Sequence, residues 1–570
     1  MKLALAQINP TVGDIAGNSR KIEQAIAAAE AAGAELVVFS ELTVTGYPPR
    51  DLLSRATFVQ ANVRAVEQLA ARCRRIAALV GFVRPAAAQP GRPLENAAAL
   101  LADGRIQAVH VKHLLPTYDV FDETRYFQPG TSVEPLTVGG RRVGVSICED
   151  LWDPSALGRA LYEEDPIARL RRAGAEIVVN MSASPFQAGK AALREELVRR
   201  QGLRTGCPIV YVNQVGGNDE LIFDGASLAI AADGTLLGRA AAFREDLLVV
   251  DTAGPPEVAQ VEVAQVSNLC AREGAQVRNL CHLPSANDAL SDIAELCEAL
   301  KLGLRDFVHK IGLHGVVLGL SGGVDSAVVA TLAADALGPE NVLALAMPSR
   351  YSSAHSLSDA QALASALGIR LLTAPIEPMH AAFERTIGPL LPSARPGTAD
   401  ENVQARVRGA TVMYFSNAGN HLALATGNKS ELATGYCTLY GDMNGGLAPI
   451  GDVYKTTVYR LARHLNEPTP RIPPGTLTKP PSAELKPNQT DQDKLPPYEL
   501  LDAILERYIE AEQGPEQIVS AGFEEKVVRD VINMVTFAEY KRRQAPPVLK
   551  VSPRAFGSGR RIPIACRWRQ

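Results

Sequence analysis

The chain contains 570 residues, which is more than one hydrophobic core usually organises, so its length predicts two or three domains. Hydrophobic residues make up 46% of the chain and charged residues 21%, a composition typical of ordinary globular proteins. The net charge of −4 argues against a dominant nucleic-acid-binding surface. The sequence also lacks any run of about 18 apolar residues, which argues against a membrane span.

The cysteines point to a reducing compartment. Eight of them are dispersed along the chain, with neither a C-x-x-C pair nor the Cys/His spacing of a zinc site. Most cysteines of cytosolic proteins are small core residues of this kind. The apolar stretch at residues 1–7 is too short for a secretory signal. We therefore expect a cytoplasmic protein.

Short apolar segments alternate with Ala-rich segments along the first half of the chain. This pattern predicts a helix at residues 18–32. It predicts strands near residues 3–7, 34–39, 77–83, 97–101, 106–111, 143–147, 177–180 and 209–213. Strands that alternate with helices and hairpins favour a layered α/β domain.

Three reactive side chains follow predicted strands directly, at the position where α/β sheets commonly carry their chemistry: Glu41, Lys112 and Cys148. A cysteine thiolate is a nucleophile, and a nearby lysine ammonium would lower the pKa of the thiol. A glutamate can act as general base and later carry the proton to a departing amine, while lysine stabilises an oxyanion. Each residue alone is weak evidence, because such a Glu is usually a cap and such a Cys usually core, but together they form a catalytic set.

The sequence around these residues resembles three motif blocks of the nitrilase superfamily. The blocks are residues 40–52 (SELTVTGYPPRDL), 112–123 (KHLLPTYDVFDE) and 147–152 (ICEDLW). More narrowly, they are similar to the glutaminase domain of glutamine-dependent NAD synthetases. The resemblance implies a nitrilase-like α-β-β-α layered fold.

The same resemblance implies a glutamine site. Glu149 would face the α-amino group of glutamine, and Tyr118, Ser184 and Lys190 match positions that hold the rest of the substrate. Lys190 offers the cation that the α-carboxylate requires. Phe121 would be a wall of the pocket, although an ordinary core aromatic is almost as consistent with its sequence context.

Residues 251–286 lose periodicity, and the sequence Gly-Pro-Pro stands near their start. We interpret them as an interdomain connector. The predicted division is therefore a first domain at residues 1–250, the connector, and a second domain at residues 287–570.

The second domain is organised around a Gly-rich loop. A strand is predicted at residues 315–318 and a helix at residues 327–337. The loop between them consists of Gly319, Leu320, Ser321, Gly322, Gly323, Val324, Asp325 and Ser326. Free backbone N–H groups and the helix N-terminus make such a loop an anion cradle, and Asp325 can hold a metal ion that neutralises phosphates. A Gly-rich turn that binds nothing is the plain alternative.

The pattern S-G-G-x-D-S resembles the PP-loop of the ATP pyrophosphatases, which adenylate an acid and release pyrophosphate. The loop lacks the lysine of the G-x-x-x-x-G-K-[ST] motif. A long helix is predicted ahead of it at residues 289–311, and strands at 342–346 and 369–374 flank a helix at 356–367. This repeat predicts a doubly wound, Rossmann-like parallel sheet. The resemblance implies that this sheet is of the PP-loop, adenine nucleotide α-hydrolase class.

Blocks at residues 401–408 (ENVQARVR) and 424–431 (LATGNKSE) resemble the NAD synthetase domain in order and content. The resemblance implies that Thr426 contacts ATP and that Asn402, Glu431 and Lys541 contact deamido-NAD. Glu431 would also share Mg²⁺ with Asp325. The Pro-rich segment 480–491 is interpreted either as a mobile lid or as a plain surface loop.

Residues 541–570 carry nine Lys/Arg and no acid. They could form a lip that faces phosphate or carboxylate, a nucleic-acid patch or a solvated tail, and fusion to an ATP-using domain favours the first.

The resemblance implies a glutamine-dependent NAD synthetase that takes glutamine, ATP and deamido-NAD, works as a homo-oligomer, and needs neither nucleic acid nor membrane. The alternatives are another PP-loop amidotransferase and a catalytically silent nucleotide-binding regulator.

Overall fold

The computed structural model describes residues 1–87, 90–152, 162–253, 259–260, 290–390, 397–487, 489–566 and 568. The chain divides into two compact units. The first comprises Met1–Asn218 with Ile222–Leu290, and the second Asp219–Leu221 with Ser291–Gln570. Most of the expected connector, residues 251–286, lies outside the described residues.

The first half of the chain carries helices α1 (Ile15–Ala31), α2 (Ala56–Ala70), α3 (Pro166–Arg172) and α4 (Lys190–Thr205). Its described strands are β1 (Lys2–Gln7), β2 (Leu36–Val38), β3 (Ala77–Pro85), β4 (Leu94–Ala102), β5 (Arg105–Val111), β6 (Leu136–Val138), β7 (Arg141–Ile147), β8 (Ile177–Ser182), β9 (Ile209–Asn213), β10 (Val215–Asn218), β11 (Leu221–Asp224), β12 (Leu228–Ile230), β13 (Leu236–Arg239), β14 (Asp246–Asp251) and β15 (Ala259–Gln260).

Two large sheets form the middle of the first unit. One has the strand order β15-β14-β1-β2-β3-β4-β5 and the other β13-β12-β9-β8-β7-β6. The inner strands β1-β2-β3 and β7-β8-β9 run parallel, while β4, β5, β6 and β14 pair antiparallel with their neighbours. The carboxyl ends of β2 and β7 therefore each reach the edge where parallel sheets commonly carry active sites.

Alternation along the strands produces the layers. In β1, Ala4 and Ala6 face a core that also contains residues of α1 and α2, whereas Leu3 and Leu5 face the second sheet. A third core packs the other side of the second sheet against α3 and α4. Because side chains of a strand alternate between its faces, each sheet buries both sides. The result is the expected α-β-β-α arrangement.

Local capping explains where the first helix begins. The sequence predicted α1 from residue 18, but it starts at Ile15 because the carboxylate of Asp14 accepts a hydrogen bond from the backbone N–H of Gly17. The strands β10 to β14 were not predicted, since they are short and lie close together in sequence.

The second unit contains a parallel sheet of β16 (Gly315–Gly319), β17 (Val342–Ala346), β18 (Arg370–Thr373) and β19 (His421–Leu424), in the order β18-β17-β16-β19. The chain winds outward from β16 to β18 and then returns to the other side of β16. This reversal is the switch point at which doubly wound sheets bind ligands. The predicted doubly wound sheet is confirmed.

The helices of the second unit are α5 (Asp292–Lys310), α6 (Val324–Leu337), α7 (Ala354–Leu367), α8 (Glu377–Ile387), α9 (Thr398–Gly419), α10 (Lys429–Thr434), α11 (Lys455–His464), α12 (Pro474–Thr478), α13 (Tyr498–Leu505), α14 (Pro515–Ser520), α15 (Glu525–Phe537) and α16 (Glu539–Arg542). No described helix combines the length and the apolar character that crossing a membrane requires.

The inter-sheet core generates a stability prediction. Leu5 is fully buried between the two sheets, so Leu5→Ala should lower the free energy of unfolding by about 2–5 kcal/mol. Trp152 packs against the core of the first unit, while Trp568, the other of two tryptophans, is 72% exposed. Tryptophan fluorescence during urea unfolding therefore follows the first unit.

The matched control is Leu203→Ala, because Leu203 lies exposed on α4. It should change the stability by no more than about 0.5 kcal/mol. Equal losses in the two variants would contradict the assignment of Leu5 to the core.

Candidate functional site

The first unit brings together Glu41, Lys112 and Cys148, which follow β2, β5 and β7. All three side chains are buried. Lys112 Nζ donates a hydrogen bond to Glu41 Oε1 at 2.7 Å. Cys148 lies near enough to both charged groups for each to act on its thiol electrostatically. The set predicted from the ends of three separate strands is thus assembled in one place.

The segment around Cys148 has a specific backbone geometry. Cys148 has φ +46° and starts a single 3₁₀ turn, Cys148–Leu151. Asp150 stabilises this turn, because its carboxylate accepts hydrogen bonds from the backbone N–H groups of Ile147, His113 and Leu114 at 3.0, 3.1 and 2.8 Å. Asp150 thereby ties the turn that carries the thiol to the segment that carries Lys112.

Two further donors hold the carboxylate of Glu41. Asn96 Nδ2 donates to Glu41 Oε1 at 2.7 Å, and the backbone N–H of Ala183 donates to Oε2 at 3.2 Å. Together with Lys112, these contacts fix the carboxylate in one orientation.

The sequence reasoning missed a second buried carboxylate, Glu123. Its Oε1 accepts hydrogen bonds from Lys112 Nζ and from the hydroxyl of Tyr47, both at 2.8 Å. Burial and Glu41 raise the pKa of Glu123 to about 7, against the opposing effect of Lys112. Glu123 closes the block at residues 112–123, so the signal was present, but no role was assigned to it.

The charge on Lys112 is maintained by its neighbours. Burial alone would lower the pKa of its ammonium, but Glu123 and Glu41 outweigh burial and raise the pKa well above the ordinary lysine value. A buried cation of this kind persists only when it is paired with acids.

Lys112 lowers the pKa of the Cys148 thiol, as the sequence predicts, but this effect does not decide the net shift. Burial and Glu41 raise the pKa of Cys148 well above its ordinary value, and the lowering by Lys112 offsets only part of that rise. The raised pKa favours the protonated thiol in the free protein. A nucleophilic role for Cys148 would require removal of this proton, and Glu41 is the charged group that acts most strongly on the thiol.

The predicted glutamine residues fall into two groups. Tyr118 donates its hydroxyl to Glu149, 2.9 Å from each carboxylate oxygen, and packs edge-on against Phe121 with ring centroids 5.6 Å apart. Ser184 lies on the connection from β8 to α4, and Lys190 is the first residue of α4. The backbone N–H of Ser184 donates to Asn213 Oδ1 at 2.9 Å, and Lys190 Nζ donates to the Pro185 carbonyl at 3.2 Å.

Tyr162 is a second residue that sequence reasoning missed. Its hydroxyl donates to Glu149 Oε1 at 3.1 Å, so two phenols orient this carboxylate. Burial raises the pKa of Glu149, and Lys112 and the phenols oppose the rise. No local pattern in the sequence singles out this tyrosine.

In the second unit, the Gly-rich loop leads from β16 into α6. Gly322 has φ +80°, and a Cβ there would lie 2.4 Å from the backbone oxygen of Ser356, so only glycine fits. The hydroxyls of Ser321 and Ser326 lie 3.1 Å apart. The helix begins at Val324, earlier than predicted, which puts Asp325 and Ser326 in its first turn. Backbone N–H groups of such a turn bind anions.

Asp325 meets Glu431 through a third residue, Lys455. Lys455 Nζ donates to Asp325 Oδ2 and lies 3.5 Å from Glu431 Oε1. Asn428 Nδ2 donates to Asp325 Oδ1 at 3.0 Å. Burial and Asp325 raise the pKa of Glu431 to about 8, against the effect of Lys455. Lys455 is the first residue of α11, and no role was assigned to it from the sequence.

A cavity of about 260 Å³ opens beside this cluster. Gly319, Leu320, Ser321 and Thr426 of the predicted ATP set line it, together with Arg408 and Met347. Burial lowers the pKa of Arg408, whose Nε donates to the Met347 carbonyl at 3.1 Å. The cavity thus combines an apolar wall, a cation and the loop that precedes α6.

The remaining predicted residues lie around Thr438, which also lines the cavity. The Thr438 hydroxyl donates to Asn402 Oδ1 at 2.9 Å. Lys541 Nζ donates to the carbonyls of Gly435 and Cys437, each at 2.7 Å. The structure therefore brings Asn402 to the cavity wall and holds Lys541 against the loop that follows α10.

The Pro-rich segment packs on the same cavity through Ser482–Leu485. Glu484 accepts hydrogen bonds from the hydroxyls of Ser353 and Ser356 at 3.1 and 2.7 Å, and from Lys479 Nζ at 2.8 Å. The segment covers the cavity, and its mobility stays a prediction.

Part of the basic C-terminal stretch is internal. Arg542 is buried, pairs with Glu539, and donates to the carbonyls of Leu432, Ala433 and Val535. Arg560 pairs with the same glutamate. These cations pack the second unit, so a wholly solvated tail does not describe them.

Comparison with known proteins matches each half of the chain to a protein family. A carbon-nitrogen hydrolase family model matches residues 2–253, and an NAD synthase family model matches residues 296–545. The glutamine-dependent NAD(+) synthetase of Synechocystis sp. is 48% identical over 99% of this chain and 98% of its own length. That of Thermotoga maritima is 41% identical over 100% and 99%.

Solved structures agree with this assignment. The glutamine-dependent NAD+ synthetase of Acinetobacter baumannii, in complex with ADP, is 37% identical, with a TM-score of 0.74 over 99% of this chain and 98% of that one. The enzyme from Cytophaga hutchinsonii has a TM-score of 0.81 at 23% identity, over 100% and 98%, and supports the fold alone. These matches favour an NAD synthetase over the other PP-loop amidotransferases and over a silent regulator. The chain belongs to the glutamine-dependent NAD(+) synthetases, a family of ATP-using, amide-forming ligases.

Proposed function

We propose that this chain makes NAD(+) by two half-reactions, with Glu41, Lys112 and Cys148 releasing ammonia from glutamine and the Gly-rich loop unit using that ammonia. In the second half-reaction, ATP adenylates the carboxylate of deamido-NAD, pyrophosphate leaves, and ammonia displaces AMP. The observation that carries the proposal is the buried contact of Lys112 with Glu41 beside the Cys148 thiol. A buried acid, ammonium and thiol together suit covalent amide hydrolysis.

The glutaminase step follows from the charges. Glu41 takes the thiol proton while Cys148 Sγ attacks the side-chain amide of glutamine. The Lys112 ammonium stabilises the oxyanion that develops on the carbonyl oxygen. Glu41 then returns the proton to the leaving ammonia, which leaves a glutamyl thioester. Water, activated by Glu41, hydrolyses that thioester to glutamate.

Substrate selection is proposed for the residues around Glu149. Its carboxylate would receive the α-ammonium of glutamine, while Lys190 and Ser184 would hold the α-carboxylate side. Tyr118 orients Glu149 in the free protein, and Phe121 backs Tyr118.

In the second unit, the proposed ATP residues are those of the Gly-rich loop and Thr426. The loop supplies backbone N–H groups and the Ser321 and Ser326 hydroxyls to the phosphates. Asn402, Glu431 and Lys541 are proposed for deamido-NAD. Lys455 is added as a cation that approaches the phosphates, because its ammonium already lies between Asp325 and Glu431.

Mg²⁺ fits the donor set at Asp325 and Glu431. These two carboxylates are closely spaced, because the same Lys455 ammonium donates to Asp325 Oδ2 and lies 3.5 Å from Glu431 Oε1. Carboxylate oxygens are the ligands that Mg²⁺ takes alongside substrate phosphates. When bound, the ion would neutralise phosphate charge. Asp325 and Glu431 would hold it, and Lys455 would remain nearby.

Three organisational features are proposed with the reaction: domains at residues 1–250 and 287–570 around the connector, a homo-oligomer, and a cytoplasmic location. Ammonia is mostly protonated in neutral water, and protonated ammonia is no nucleophile. Because both activities belong to one chain, ammonia released in the first half-reaction can be used in the second before it is protonated.

The assignment of the nucleophile gives the first functional prediction. Cys148→Ala should lower glutamine-dependent NAD(+) formation at least about 1,000-fold, because removal of a nucleophile abolishes its covalent route. Synthesis from ammonium salts should be largely retained. Both rates are measured on one preparation. Cys207→Ala is the matched control, since Cys207 is a buried thiol of the same unit that donates to the Ala175 carbonyl. Wild-type glutamine use by the Cys148 variant would remove the assignment.

The Gly-rich loop predicts the opposite pattern for Asp325→Asn. NAD(+) formation should fall by at least about 100-fold with either nitrogen source, because charge stabilisation at the phosphates is lost, while glutamine hydrolysis persists. Asp335→Asn serves as control, because Asp335 lies on the same helix and pairs with Arg471 away from the cavity. Normal synthesis from ammonium in the Asp325 variant would refute the loop's role.

Glu123 gives the third prediction. Glu123→Gln keeps the shape of the side chain but removes one of the two charges that pair with Lys112. The kcat for glutamine hydrolysis should fall about 10- to 1,000-fold, with a smaller change in KM, because the oxyanion is stabilised only in the transition state. Asp122→Asn, at the exposed neighbouring position, should leave both constants unchanged. A change in KM alone would place Glu123 in substrate binding instead.

A further inference from the structure

Three side chains that ligate metals converge beside the glutaminase residues without a role in the proposed reaction: His110, His113 and Asp150. One potential ligand atom from each lies within 4.8 Å of the others. The two imidazole rings are tilted toward each other with centroids 5.4 Å apart. His110 is only 4% exposed, His113 7% and Asp150 1%. The cluster is thus a compact interior site rather than a group of surface residues.

The fold builds this cluster from two segments. His110 lies in β5, and His113 follows three residues later, beyond Lys112. Asp150 lies in the turn after β7 and accepts hydrogen bonds from the backbone N–H groups of His113 and Leu114. These bonds hold the carboxylate against the segment that carries the second histidine, so the three groups are positioned by the backbone.

The hydrogen bonds of the cluster are incomplete. Within the described part of the chain, His110 Nε2 and both ring nitrogens of His113 make no hydrogen bond of normal geometry, and the His113 ring has only a looser interaction with the backbone of Ser132. A buried polar atom left without a partner costs about 1–3 kcal/mol. Asp150 accepts three backbone N–H bonds, whereas a carboxylate offers about four acceptor sites, so one remains available. Ring nitrogens of both histidines and one acceptor position of Asp150 are therefore available to bind the same ion.

The charges around the cluster favour a cation at this position. Two buried carboxylates, Glu41 and Glu123, pair with the Lys112 ammonium, whose charge also acts on Glu149 and Asp150. Arg169 and Glu164 act on His113 with opposite signs. The buried acids around Lys112 thus outnumber its single charge, and a buried carboxylate is tolerated best beside a cation. An ion held by one ring nitrogen of each histidine and by one Asp150 oxygen, which lie within 4.8 Å of one another, would be such a cation.

We propose that His110, His113 and Asp150 bind a divalent first-row transition ion of the Zn²⁺ type. Imidazole nitrogen suits Zn²⁺, Co²⁺ and Ni²⁺, whereas Mg²⁺ and Ca²⁺ prefer oxygen alone. Three protein ligands leave a fourth position for water. The bound ion cross-links the segment of Lys112 to the turn of Cys148 and stabilises the first unit. It takes no part in cleaving the amide.

A second cluster in the other unit fits an ion less well. His380 Nε2 already shares a hydrogen bond with Asp400 Oδ1 at 2.9 Å. Glu384 is 41% exposed at its side chain and pairs with Arg350. This cluster provides the control, because it has one histidine and two carboxylates, and its buried histidine is already paired with Asp400 while Glu384 is exposed.

The test uses the full-length protein, stripped with chelator and titrated with Co²⁺ in excess Mg²⁺, which fills sites that offer only oxygen ligands. The visible d–d absorption of bound Co²⁺ gives the stoichiometry and the Kd, and Zn²⁺ is added in competition. We expect one Co²⁺ per chain, displaced by Zn²⁺. His110→Asn and His113→Asn should each raise the Kd at least about 10-fold, the loss typical of a ligand or its close support, while His380→Asn should leave it unchanged.

Folding of the variants is checked by their NAD(+) synthesis from ammonium salts and by thermal unfolding. Zn²⁺ should raise the unfolding midpoint of the wild type and of His380→Asn, but not of the two other variants. Absence of saturable Co²⁺ binding to the wild type would overturn the proposal. So would binding that survives in His110→Asn and His113→Asn, or binding that is lost in His380→Asn.

Discussion

The arrangement of the first unit depends on one buried ammonium, that of Lys112, held between Glu41 and Glu123. An interior charge is tolerated only when it is paired, and removing one partner of such a pair typically costs about 3–5 kcal/mol. The positions of both acids are thereby constrained by the lysine, and the lysine by them. Glu41 comes from the end of β2, Lys112 from the end of β5, and Glu123 from the loop beyond it. The ion network therefore also fixes how these segments meet.

This ion network helps to explain why the pKa of the Cys148 thiol is raised, which favours the protonated thiol in the free protein. A site that holds several acids around one cation disfavours a further anion, and burial adds to the effect. In the proposed mechanism, Glu41 accepts the thiol proton, because it is the nearby carboxylate that acts on Cys148. The site then needs no preformed thiolate, and the Lys112 charge stabilises the developing oxyanion.

The second unit also contains a buried lysine between two acids, but in a different chemical setting. Lys455 lies between Asp325 and Glu431, as Lys112 lies between its two acids. Here the acids stand at the switch point of a parallel sheet, beside a loop of backbone donors. We interpret the lysine as the partner that makes two closely spaced carboxylates tolerable before ATP binds. In both units, a paired lysine stabilises the buried acids to which the proposed reaction assigns a role.

The fold and the main reactive residues could be predicted because their signals are local. Strand ends marked Glu41, Lys112 and Cys148, and the Gly-rich turn marked Asp325. The family resemblance supplied the substrate residues. Glu123, Tyr162 and Lys455 were missed because their importance lies in contacts with residues that no periodicity pairs with them. Lys455, for example, contacts an acid 130 positions earlier.

The direction of the Cys148 pKa could not be predicted from sequence for a related reason. A neighbouring lysine is visible in a motif, but the depth of burial and the number of nearby acids are properties of the packed structure. The strands β10 to β13 escaped prediction because three or four residues are too few to show alternation, whereas β14, with six residues, was simply not recognised.

The most direct test of the account is identification of the acyl-enzyme. Wild-type protein is mixed with glutamine, quenched rapidly in acid, digested, and analysed by peptide mass spectrometry. The account predicts a glutamyl group on the peptide that carries Cys148, and its loss in Glu41→Gln and in Lys112→Gln, which break the ion network without touching the thiol. A glutamyl group on another residue, or undiminished labelling of Cys148 in both variants, would contradict it.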